Sequence, residues 1–284
     1  MNMTYTLKRE ELGNDLLMSV LEALTNAYKE IGSEVYVVGA AARDLSLKLL
    51  RAGSAPRRTM DLDVAVLLEK WNEYERLTEI LIKDGFVKAP EKQRFYYCGI
   101  ENVRYEVDIV PFGDIAQEEM VAWPPEGNPV MSVRCFADVM KNADKVVVEG
   151  RFAFRMASLS GQWLIKLDAW CDRHLMTRKD AADMQFILEN AYIALALSSD
   201  AIPDTISLDA STFDQTVAGA EWIASDLLNM LSKDHKMYYA NMLESEVIQR
   251  EDSQLVNDLL DNAVIGTFDS ICRALVRMSQ ILRK

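Results

Sequence analysis

Asp61 and Asp63 stand one residue apart in PRRTMDLDVAV (56–66), at the head of an apolar run suited to a protein core. Residues two apart on a strand project from the same face, so two carboxylates would sit side by side while Leu62 and Val64 point the other way. Neighbouring carboxylates repel, and one is driven towards protonation unless a cation lies between them. A hard divalent ion, Mg²⁺ above all, removes that conflict. The alternative is a pair of solvated residues at a strand start.

Two further stretches bear on the choice. Gly39 closes the apolar run EVYVVG and opens a helical pattern at Ala40-Ala41-Ala42-Arg43-Asp44. A strand, a glycine and a helix start present free backbone amides and the positive end of a dipole to an anion, and the small residues leave room for a phosphate. Close packing explains such turns more often than phosphate binding does. Asp108 lies in YEVDIVPF between apolar neighbours, where an unpaired carboxylate is costly; a metal or a cation such as Arg104 or a lysine would satisfy it. Together, a phosphate cradle, two strand carboxylates and a third on a neighbouring strand match a two-metal arrangement for in-line attack on a phosphoryl group.

These residues resemble the nucleotidyltransferase superfamily that includes DNA polymerase β, whose glycine-led helix start, [DE]-x-[DE] pair and later carboxylate correspond to Gly39-Ala40, Asp61-Leu62-Asp63 and Asp108. Within it the chain looks most like the AbiEii/AbiGii-type toxin nucleotidyltransferases, through Arg57-Arg58-Thr59-Met60-Asp61-Leu62-Asp63 and the downstream LIKLDAWCDRHLMTRKDAAD (164–183). The resemblance spans about residues 33–190. It implies Asp61, Asp63 and Asp108 as catalytic metal ligands for Mg²⁺ or Mn²⁺, with Gly39, Ala40, Arg43, Arg57, Thr59, Lys166 and Asp180 around the nucleotide. It further implies transfer of NMP from an NTP such as ATP to an acceptor hydroxyl, on an RNA 3′ end or a protein, and an antitoxin partner. Lys166 is otherwise a surface lysine on an amphipathic helix. Ala40 departs from the usual Gly or Ser. GAAARD is also similar to the GGxxRD of tRNA-terminal nucleotide-adding enzymes, but their arginine-rich downstream motifs are missing. A small-molecule acceptor of aminoglycoside type, or a nucleotide-binding core without catalysis, are the alternatives.

The elements that must position these residues read as an α+β unit over 1–155, followed by a helical domain over 156–284. Helix is expected over 4–31, strands at 34–39, 60–68, 94–100 and 103–112, and a helix over 70–83 stopped by Asp84-Gly85. A turn is expected at Glu101-Asn102, irregular chain through WPPEGNPV (123–130), and a hairpin over 145–155 about Glu149-Gly150-Arg151. Beyond Ser158 the pattern is helical, with two closing stretches at 216–246 and 251–282.

The chain has 284 residues, half of them hydrophobic, and a formal charge of −13. That balance disfavours non-specific binding to nucleic acid or anionic membranes. The N-terminus carries charges where a secretory signal needs an apolar segment, and no membrane span is expected. Cys98, Cys135, Cys171 and Cys272 form no CxxC pair, so they read as reduced thiols of a cytoplasmic protein. His174 and His235 fall within helical patterns, away from any nucleophile elbow.

Overall fold

A computed structural model describes residues 3–12, 15–52, 61–98, 104–199, 201–209 and 211–284. Arg57 and Thr59, the turn at Glu101-Asn102, and Gly53, expected to close the helical pattern that begins at Ala40, lie outside them. The chain divides into two compact units, one of Met1–Leu45 with Ala55–Ser158, the other of Ser46–Ser54 with Leu159–Lys284.

The first unit is built on a mixed sheet flanked by helices. Its strands are β1 (Thr4–Leu7), β2 (Tyr36–Val38), β3 (Asp61–Leu67), β4 (Phe86–Lys88), β5 (Arg94–Cys98), β6 (Arg104–Phe112), β9 (Asp144–Val148) and β10 (Phe152–Met156), in the order β1-β9-β10-β2-β3-β6-β5-β4. A separate pair, β7 (Met120–Ala122) and β8 (Val130–Ser132), brackets the irregular proline-rich loop. Helices α1 (Arg9–Leu12), α2 (Asp15–Glu30), α4 (Trp71–Lys83) and α5 (Phe136–Lys141) belong to the same unit, as does α3 (Gly39–Leu49) as far as Leu45.

The helix expected from residue 4 begins later, at Arg9. Thr4–Leu7 instead joins the sheet edge, parallel to β9 with Tyr5 beside Val146; a β-rich tetrapeptide follows a long-range partner that helical periodicity cannot reveal. β4 was likewise not expected, being only Phe-Val-Lys paired to β5. The helix over 70–83 forms as its periodicity predicts: Tyr74, Leu77, Ile80 and Leu81 are buried. The Glu73 carboxylate accepts the Glu69 and Lys70 backbone N–H groups at 2.8 and 3.2 Å, satisfying donors that a helix start leaves open.

The second unit is helical: α6 (Leu159–Arg173), α7 (Lys179–Ala196), α8 (Gln215–Met230), α9 (Lys233–Ile248), α10 (Gln254–Leu260) and α11 (Phe268–Leu282). Each of the two long closing stretches is divided in two. Ser232 caps α9 by accepting the His235 N–H at 3.2 Å, and Thr267 caps α11 by accepting that of Ser270; hydroxyls that favour caps over helix interiors make both breaks. Among the described residues no helix is long and apolar enough to cross a membrane.

Candidate active site

β3 alternates strictly at its start: Asp61 is exposed and Asp63 half-buried, with Leu62 and Val64 fully buried between and beyond them. Cross-strand register carries that face outwards. β3 runs parallel to β6, setting Asp61 beside Glu106 and Asp63 beside Asp108. β5 runs antiparallel to β6, setting Arg94 beside Asp108 and Tyr96 beside Glu106. Neighbours in register share a face, so one row reads Asp63, Asp108, Arg94 and the next Asp61, Glu106, Tyr96. The opposite face carries Leu62, Tyr105, Val107 and Phe95, each almost wholly buried.

On the other flank of β3, Val38 pairs with Asp63, so the chain leaves β2 beside that carboxylate. Gly39 turns it into α3 with φ at +68°, and a Cβ there would lie 2.0 Å from Asp63 Oδ2 and 3.0 Å from its Cβ. Glycine is therefore required twice, by the backbone angle and by the carboxylate packed against it. Ala40 follows in the first turn. Arg43, buried to 9% exposure, donates from Nε and Nη2 to Asp44 Oδ1 at 2.9 and 2.7 Å.

Asp108 does have a cationic partner, but not Arg104. Arg104 lies over the Tyr96 ring, 6.0 Å from its centroid. It is four residues from Asp108 along an extended strand, roughly 13 Å away. Arg94 instead grips Asp108 with two parallel bonds, Nε to Oδ1 and Nη2 to Oδ2, both 2.8 Å. Its Nη2 also lies 2.8 Å from Glu106 Oε1. The bond to Asp108 holds the Arg94 guanidinium well above its ordinary pKa. Glu106 is pushed up by burial, opposed by Arg94 and reinforced by the Asp108 and Asp61 charges. On the back face, burial and then the Asp61 charge push the Tyr105 hydroxyl up to about 12.

The chemistry of the donors bears on a metal. Asp61 and Asp63 supply hard carboxylate oxygens from one face beside a helix start, which fits Mg²⁺ or Mn²⁺. Asp108, beside Asp63 in register, has both oxygens bonded to Arg94 and keeps a further lone pair on each. Among the described residues no group of three or more His, Cys, Asp or Glu side chains is gathered as metal ligands.

Lys166 and Asp180 belong to the helical unit and meet each other there. Asp180 is fully buried and accepts Arg173 Nε and Nη2 at 2.7 and 2.9 Å and Lys166 Nζ at 3.3 Å. Asp183 holds the same ammonium at 2.8 Å. Burial tends to raise the Asp180 pKa, and Arg173 with Lys166 outweighs it, leaving the carboxyl below its usual range.

Sequence reasoning missed Glu106 and Arg94. Glu106 was within reach, since it precedes Asp108 by two residues and therefore shares its face. Arg94 was not, because the two-residue turn expected at Glu101-Asn102 would set Arg94 opposite Ile109, one residue off its pairing with Asp108.

No known family profile matches the chain, and no curated protein does. Solved structures give partial matches of low identity. A nucleotidyltransferase-like protein from Paracoccidioides brasiliensis is 16% identical with a TM-score of 0.43, over 76% of this chain and 92% of that one. A lincosamide antibiotic adenylyltransferase, LnuA, with lincomycin bound, is 13% identical with a TM-score of 0.35, over 65% of this chain and 96% of its own. The Thermotoga maritima CCA-adding enzyme complexed with tRNA is 10% identical with a TM-score of 0.32, over 96% and 83%.

Proposed function

We propose that the chain is a divalent-metal-dependent nucleotidyltransferase, transferring NMP from an NTP to an acceptor hydroxyl at the β3 end of the α+β unit. The observation that carries this reading is the contact between the Gly39 helix start and Asp63, which joins a phosphate cradle to the carboxylate pair on one sheet face. Asp61 and Asp63 would hold the metal, with Asp108 next to Asp63 as the third carboxylate. When bound, the ion would neutralise phosphate charge and acidify the acceptor hydroxyl. The backbone amides from Gly39 into α3 would face the phosphates, and Ala40 keeps that approach open without adding a hydroxyl contact. Arg43, Arg57 and Thr59 are proposed around the nucleotide. RNA 3′ ends and protein hydroxyls are the proposed acceptors, with a cytoplasmic toxin paired to an antitoxin as the biological setting.

Incubation with α-labelled NTPs, Mg²⁺ or Mn²⁺, and in turn total RNA, total protein and an aminoglycoside tests the reading. Label should enter one acceptor class and should vanish in Asp63→Asn. Label that persists in Asp63→Asn refutes it. A second reading, a nucleotide-binding core without catalysis, draws support from the Arg94–Asp108 pair, and nucleotide binding without transfer to any acceptor would favour it.

A further inference from the structure

We propose that Arg94 is a built-in counter-cation that competes with divalent metal for Asp108 and Glu106, so that filling the site requires release of one arginine. This rests on the reading of the carboxylate face as a metal site, and assigns that site a residue the motif comparison does not contain.

Four carboxylates, Asp61, Asp63, Glu106 and Asp108, occupy two adjacent register rows on β3 and β6. Arg94 stands opposite Asp108 on the next strand and reaches both β6 carboxylates with three contacts of 2.8 Å. Side-chain exposures of 26, 20 and 30% for Arg94, Asp108 and Glu106 place the group between surface and core. Solvent therefore screens it less than an exposed pair. A planar guanidinium matched to a carboxylate by two parallel bonds is the strongest form of such a pair. A divalent ion bridging Asp63 and Asp108 would have to share Asp108 oxygens with that guanidinium, under direct charge repulsion. Without Arg94 the metal-free fold loses these bonds, since its three contacts of 2.8 Å are what hold Asp108 and Glu106 together on β6. Stabilisation of the metal-free fold and competition with metal are thus one property of one side chain.

The test uses the full chain and Mn²⁺ alone as probe, with bound metal read by electron paramagnetic resonance and stability by thermal unfolding. Arg94→Gln is expected to tighten Mn²⁺ binding about tenfold or more, the worth of a charge-assisted bond. It should also lower the metal-free Tm and enlarge the Tm rise on adding Mn²⁺. Arg94→Lys, which keeps the charge but loses the fork, should tighten binding by less and serves if the glutamine variant does not fold. Equal Mn²⁺ affinity in wild type and both variants, lost in Asp63→Asn, overturns the competition while the metal site stands. No Mn²⁺ binding that depends on Asp63 in any of these proteins overturns the metal site itself, and the inference with it.

Discussion

Gly39→Ala tests the geometry of the site without any ligand. A methyl group at this position meets Asp63 Oδ2 at 2.0 Å, about 1.4 Å short of the 3.4 Å at which ordinary contact begins, and Asp63 Cγ at 2.9 Å. Relief requires Asp63 to turn away or β2 and β3 to separate, at a cost of about 1–3 kcal/mol. The backbone angle of +68° adds roughly 1–2 kcal/mol for alanine. Gly32 isolates the second contribution, since its φ is +77° and nothing lies within 4 Å of its would-be Cβ. The expected losses are therefore about 2–5 kcal/mol for Gly39→Ala against roughly 1–2 for Gly32→Ala. In calorimetry these correspond to Tm decreases of roughly 4–20 °C and 2–8 °C. In an Asp63→Ala background the carboxyl group is gone and only a Cβ at 3.0 Å remains, so the Gly39→Ala loss should shrink by about 1–2 kcal/mol. If Gly39→Ala costs no more than Gly32→Ala, or if Asp63→Ala does not reduce its cost, the helix start is not packed against that carboxylate.

In the helical unit, Glu189 Oε1 accepts the backbone N–H groups of Val264, Ile265 and Gly266 at 2.9, 3.0 and 2.9 Å and Gln185 Nε2 at 2.9 Å. Glu189→Ala should cost about 3 kcal/mol in urea unfolding and speed amide exchange at 264–266. Asp180 titrates below its ordinary 3.8, so its stabilisation is complete above that value and disappears as pH falls through the lower folded-state value. The stability gap between wild type and Asp180→Asn should accordingly be widest above pH ~4 and close in more acidic buffer. Asp226 shows the opposite sign, with burial raising its pKa against the Ser160 hydroxyl that donates to Oδ2 at 2.6 Å. Its contribution is complete below the ordinary 3.8 and is lost as pH rises through the folded-state value, so Asp226→Asn should match or exceed wild-type stability at neutral pH.

Local pattern reached as far as each element's own residues and stopped at pairing. Leu62 and Val64 alternating with two aspartates specify a strand with one polar face, and Asp63 beside Gly39 follows from β2 meeting β3. What the alternation leaves open is which strand lies next to β3. That choice, β6 running parallel with each residue 45 positions ahead of its partner on β3, is settled by the whole sheet and not by either segment.

The acidic face also shows why Asp108 read ambiguously from its apolar neighbours. A carboxylate in such a strand needs a positive partner, and the sequence offered a metal and an arginine as rival answers. The arginine came from β5 because antiparallel pairing brings Arg94 within a strand spacing of Asp108, whereas Arg104 shares the strand and points along the same face two side chains further on. Finding Arg94 there does not remove the case for a metal, because each Asp108 oxygen keeps acceptor capacity beyond its one bond to Arg94, and Asp63 stands beside Asp108 in register. The two answers are successive claims on the same oxygens. Arg94 serves the metal-free fold, and an ion that takes Asp108 must repay the bonds it breaks, which makes its occupancy depend on metal concentration and on the nucleotide phosphates that arrive with it.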